Sequence, residues 1–160
     1  MKRDDIIKEL KNYFTIEELI DQNTFNRDGS SSWRYFTTEL LETILFIRIN
    51  LDKSMTINNW KWGGQFSQRG LRNNICSIVM KKTQSGQLYT SAHTLGAGVD
   101  FDVKGMSADA VRDWLLHNEA SLPHKIRLEH KFTNTGQSIN WVHLDTFAED
   151  ANPKVYLFNV

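Results

Sequence analysis

Ser91-Ala92-His93-Thr94-Leu95-Gly96-Ala97-Gly98-Val99-Asp100 leads directly into Phe101-Asp102-Val103. From Val99 the chain alternates apolar and acidic side chains, which predicts a half-buried strand over 99–103. The small residues ahead of it let the backbone turn tightly out of a loop. Such a turn lets His93 and Asp100 face the same ion although six residues separate them. A third donor lies downstream in Trp141-Val142-His143-Leu144-Asp145. Strand alternation there puts Trp141, His143 and Asp145 on one face and Val142 and Leu144 on the other. Two histidines and a carboxylate suit zinc, and three protein ligands leave the fourth tetrahedral position to a water, as in catalytic sites.

Outward from these strands, the pattern predicts helices first and a sheet afterwards. Asp4 or Asp5 is placed to cap a helix carrying Ile6, Ile7, Leu10, Tyr13 and Phe14, and Thr15 with Glu18 forms a capping box for a short helix through Ile20. Asn23 to Ser32 is rich in turn residues, and 33–50 places Phe36, Leu40, Ile44 and Ile47 on one stripe of a long helix. A short strand at Met55-Thr56-Ile57 is followed by a long Gly-, Asn- and Ser-rich stretch with one helical piece over 74–82. Ser107 caps a helix bearing Val111, Trp114 and Leu115. Strands follow over 125–132 and 139–147, with Gly136 in a hairpin turn between them, and over 154–160. This order predicts a single α+β domain over 1–160 with an antiparallel sheet carrying the zinc site.

Composition narrows the function. The chain has 160 residues, 40% of them hydrophobic, enough for one domain with a real core. Nineteen basic side chains balance nineteen acidic ones, so nucleic acid and anionic membrane are not expected partners. A single cysteine, Cys76, excludes a disulfide scaffold and reads as a buried thiol. The N-terminus lacks the apolar region of a secretory signal, and the richest apolar run, 40–49, falls short of the roughly 20 residues of a membrane span. A chain made in the cytoplasm without an anchor of its own is expected. Trp33 and Trp114 fit helix stripes; Trp60 and Trp62 flank Gly63-Gly64, under a long loop or along a groove. His117 and His124 fall at a helix end and in a loop.

The stretch 91–100 resembles the Ser-x-His-x-x-Gly-x-Ala-x-Asp signature of the zinc D-Ala-D-Ala peptidases, whose fold is shared by the hedgehog signalling domain and many phage endolysins. Gly98 stands where the signature has Ala. Val142-His143-Leu144-Asp145 is similar to the strand carrying that family's second zinc histidine. Gln68-Arg69-Gly70-Leu71-Arg72 is similar to its Ser-Gly-Tyr-Arg segment, with Arg72, or else Arg69, as the substrate-binding arginine.

The resemblance implies one zinc per chain on His93, Asp100 and His143, hydrolysing amide bonds in peptidoglycan stem peptides. With no secretory signal expected, the resemblance favours a phage or prophage product, an endolysin acting on the wall after release or a component carried with virion proteins. Family members place a catalytic glutamate three or six residues before the second histidine, where this chain has Asn140 and Gln137, neither able to act as a base. Asp145 is the best remaining base and equally a carboxylate that orients His143. Glu129 and His130 are weaker candidates, since alternating Lys125, Arg127 and Glu129 reads as a solvated sheet face. A zinc-bearing module without catalysis is the rival expectation.

Overall fold

The computed structural model describes residues 1–159. The N-terminal periodicity folds as α1 (Arg3–Leu10), with Lys2 at its N-cap. Asp4 and Asp5 lie inside the first turn, where their charge favours the helix dipole. Phe14 falls beyond the helix yet is buried. The expected capping box opens a single 3-10 turn, Ile16–Glu18, in which the Glu18 carboxylate accepts from the Thr15 N–H at 2.8 Å.

The stretch expected to be only turns contains α2 (Gln22–Asp28). Asp21 caps it, accepting from the N–H groups of Asn23 and Thr24, and a 3-10 segment follows over Gly29–Tyr35. Trp33 belongs to that segment, so the long helix α3 is Thr38–Leu51, capped by Thr37, and does not begin at 33. Its buried face is wider than one stripe, since Leu40, Leu41, Thr43, Ile44, Leu45 and Ile47 are all enclosed.

Next come β1 (Met55–Thr56), α4 (Ser77–Gln84), β2 (Gly98–Val103) and α5 (Ala108–His117), followed by β3 (Ile126–Glu129), β4 (Val142–Asp145) and β5 (Val155–Phe158). Ser107 caps α5 as expected, accepting from Ala110 N–H. Gly136, at φ +80°, closes the turn between β3 and β4 with its N–H on Thr133 O.

The sheet is mixed rather than antiparallel, in the order β1-β2-β4-β3-β5. β2 pairs antiparallel with β1 and β4, and β4 with β3, but β5 lies parallel to β3. The cause is local: residues 146–154 carry the chain from the end of β4 past the start of β3, so β5 adds on the far side with its direction opposite to β4. β2 lies inside the sheet, between β1 and β4, and is almost wholly buried, not half-buried. Val99, Phe101 and Val103 join α1, α3 and α5 in one core through Leu10, Ile44 and Leu115, each such side chain contributing roughly 1.5–3 kcal/mol. The opposite face of β2 and β4 holds Asp100, His143 and Asp145, with Asp100 directly opposite His143 in the register. Among the described residues, no helix is long and apolar enough to cross a membrane.

Candidate metal centre

Two neighbouring strands and one loop supply the donors. Asp100 on β2 and His143 on β4 are register partners, which fixes their separation through the ladder. His93 reaches the same point because the loop before β2 folds back on itself: Ala97 N–H donates to Ala92 O and Arg72 N–H to His93 O. Gly96 enables this turn, with φ +65° and a position where a Cβ would lie 1.9 Å from Tyr35 O. Gly98, the departure from the family signature, has its own cause. A Cβ there would meet the Ala92 Cβ at 2.7 Å.

Three atoms form a tight triangle. His93 Nε2 is 3.2 Å from His143 Nδ1 and 3.3 Å from Asp100 Oδ1, and the last two are 2.6 Å apart. An ion about 2.0–2.1 Å from each, the range of zinc bonds to imidazole and carboxylate, fits above such a triangle.

The tautomers agree with that fit. His93 Nδ1 donates to Gly70 O at 2.8 Å, leaving Nε2 with its lone pair toward Asp100 Oδ1, another acceptor. Both acceptors also lie beside His143 Nδ1, at 3.2 and 2.6 Å, so the point they share suits either a proton on that nitrogen or a cation in its place. On His143, Nε2 lies 3.4 Å from Asp145 Oδ2, so that carboxylate orients the ring whose Nδ1 faces the triangle. The group His93, Asp100 and His143 can therefore hold a metal ion.

Electrostatics divides the three donors. Burial holds His93 below the ordinary histidine pKa, so its ring stays neutral. Burial also opposes charge on His143, but bonds to Asp100 and Asp145 outweigh it and raise its pKa to about 9. Asp100, although buried, is held well below the usual carboxylate range by the bonds from His143 and His93. Metal-free, the triangle thus carries a proton on His143 where a ligand lone pair is needed.

Arg72 borders the same cavity, and all three of its nitrogens are engaged. Nε donates to Gln68 O at 2.7 Å, Nη1 to the Tyr89 hydroxyl at 3.0 Å and Nη2 to Asp100 Oδ2 at 3.0 Å. It therefore holds the Asp100 carboxylate by the oxygen turned away from the triangle. Arg69 is not among the cavity-lining residues; it pairs with Asp102 and stacks on Phe66 with its guanidinium 3.5 Å from the ring centre. Asp145 is at the site but fully occupied. Arg127 Nε and Nη2 each donate to one of its oxygens at 2.8 Å, and Phe147 N–H donates to Oδ1. Burial raises its pKa, yet the His143 and Arg127 bonds win and hold it low, which makes it a weak proton acceptor.

Gln137 and Asn140 are exposed and do not border the cavity. Trp60 donates its indole N–H to Ile20 O and Trp62 is exposed, and neither borders the cavity. His117 caps its own helix through Asp113 O, and His124 bonds Glu42.

The cavity, of about 360 Å³, brings in residues that alternation on β3 had assigned to a solvated face. Arg127 and Glu129 point to the same side as Asp145 and His143, and β3 lies between β4 and β5, so that side is the cavity wall. Glu129 is buried and Arg127 half-buried. Burial raises the Glu129 pKa. Arg127 lies under Phe158 at 4.8 Å, and Trp141, Phe147 and Tyr89 complete the wall. The signal for Glu129 was present in its phase on the strand; what the sequence does not display is that β5 covers the outer edge.

Comparison with family models, curated proteins and solved structures finds no match to this chain.

Proposed function

We propose that this protein is a zinc-dependent hydrolase of amide bonds in peptidoglycan stem peptides, a carboxypeptidase or endopeptidase of phage or prophage origin. The observation that carries the reading is the triangle of His93 Nε2, Asp100 Oδ1 and His143 Nδ1, opening into a cavity with each ring's other nitrogen held by an acceptor. The cell-wall substrate comes from the resemblance of 91–100 and 142–145 to the zinc D-Ala-D-Ala peptidases. A divalent ion bound there supplies a Lewis acid that polarises a carbonyl and brings the pKa of a water toward about 7.

The chain's residues divide the remaining work. Gly70 O fixes the His93 tautomer, Asp145 fixes that of His143, and Arg72 holds Asp100. Arg127 borders the cavity beside Phe147 and Phe158; its Nε and Nη2 are spent on Asp145, which leaves Nη1 to meet a substrate carbonyl or carboxylate. A metal-bearing module without catalysis, serving for instance in a virion, is the second reading, favoured by the exposed amides of Gln137 and Asn140 where the family has its glutamate.

Metal analysis joined to release of soluble peptides and new amines from purified peptidoglycan separates the two. The hydrolase reading expects about one zinc per chain and release that stops with a chelator and returns with zinc. A zinc-loaded protein releasing nothing from any peptidoglycan chemotype contradicts it and leaves the inert module.

A further inference from the structure

Glu129 closes β3 as a residue only 6% exposed, and its Oε2 is sealed from solvent with no hydrogen-bond partner among the described residues. A buried carboxyl oxygen left without a partner is costly and calls for an explanation. Its position supplies one. The register pairing Arg127 with Asp145 and Leu128 with Leu144 brings Glu129, one step on, to the level of His143, and Glu129 borders the cavity that holds the three donors. It does not belong to the group of ligand atoms lying within 4.8 Å of one another, so it stands outside direct coordination. Its backbone is held firmly: buried Arg112 of α5 donates Nε to Glu129 O and Nη2 to Ile139 O and Trp141 O, locking the end of β3 to the approach of β4.

We propose that Glu129 is the general base of the hydrolysis, the role that Gln137 and Asn140 cannot perform and that Asp145, saturated by Arg127, is poorly placed to perform. The assignment rests on the hydrolase reading above. The Glu129 carboxylate takes a proton from the attacking water as the water oxygen bonds to the carbonyl carbon and the C=O π pair moves onto its oxygen. That proton then passes to the amide nitrogen as the carbonyl re-forms and the C–N bond breaks, giving an amine and a carboxylic acid with Glu129 ionised again.

The test uses the full chain with Glu129→Gln, Glu129→Asp and Asp145→Asn, scored by zinc content, Tm and peptide release from peptidoglycan. Glu129→Gln is expected to keep about one zinc per chain, to melt no lower than wild type because a carboxylate has been removed from a buried position, and to lose about 10²- to 10⁴-fold in rate. Glu129→Asp, which keeps a carboxylate, is expected to retain more of the rate than the glutamine variant. Asp145→Asn is expected to weaken zinc binding about 10- to 100-fold and to recover its rate in excess zinc. Wild-type release by Glu129→Gln, or loss of its zinc or fold, overturns the assignment while leaving the hydrolase reading in place. So does Asp145→Asn that keeps its zinc but loses its rate. A zinc-loaded wild type that releases nothing overturns the hydrolase reading itself, and this assignment with it.

Discussion

His143 sits between two carboxylates, with Nδ1 2.6 Å from Asp100 and Nε2 3.4 Å from Asp145, and in the metal-free protein it keeps a proton up to about pH 9. On the zinc reading proposed above, the ion would have to displace that proton from Nδ1, so affinity would rise with pH as long as the pH is below the pKa. Chelator competition is expected to show about a tenfold gain per pH unit between pH 6 and 8; a flat profile means that Nδ1 is not a ligand. Arg72 makes the second prediction at this scale. Its Nη2 bonds the outer oxygen of Asp100 while Nε and Nη1 are spent on Gln68 O and Tyr89, so its first duty is to the metal carboxylate. Arg72→Lys loses the planar fork and is expected to weaken zinc about 10- to 100-fold in the same titration. Unchanged affinity with a raised KM would instead return Arg72 to the substrate role that the family resemblance implies.

The elements meet at the turn into β2, where space decides sequence. A Cβ at Gly98 would lie 2.7 Å from the Ala92 Cβ and 3.3 Å from the Asp145 Cβ. Gly98→Ala is therefore expected to cost about 1–3 kcal/mol in denaturant unfolding. Ala92→Gly in the same chain is expected to recover part of that cost; equal losses with and without the second change would show that the clash is elsewhere. The three donors were legible in the sequence because each sits in a short alternating or small-residue pattern that fixes its direction. Glu129 was legible only in phase, since nothing local to β3 shows that β5 joins its far edge in parallel through a connection that skips a strand. α2 was hidden in a polar, turn-like composition. Its cap Asp21 also accepts from Asn73 Nδ2 at 2.8 Å, a tie to a residue 52 positions away that outweighs local propensity.

For the whole molecule, the same proton couples the site to stability. His143 has a folded-state pKa above its unfolded value, so its contribution is complete below about pH 6.5 and is lost as pH rises through 9. Zinc binding through His143 Nδ1, as proposed, would run in the opposite direction, growing stronger over that window as the competing proton leaves. The Tm difference between zinc-loaded and metal-free protein is thus expected to widen from pH 6.5 to 9, by roughly 5 °C or more. A constant difference across calorimetric scans would place the metal away from His143. The most direct measurement of the central claim is an anomalous difference map at the zinc edge, from crystals of the full chain grown with one equivalent of zinc. The account predicts a single strong peak about 2.0–2.1 Å from His93 Nε2, Asp100 Oδ1 and His143 Nδ1. A map with no peak at that triangle, or with zinc bound only elsewhere, contradicts it.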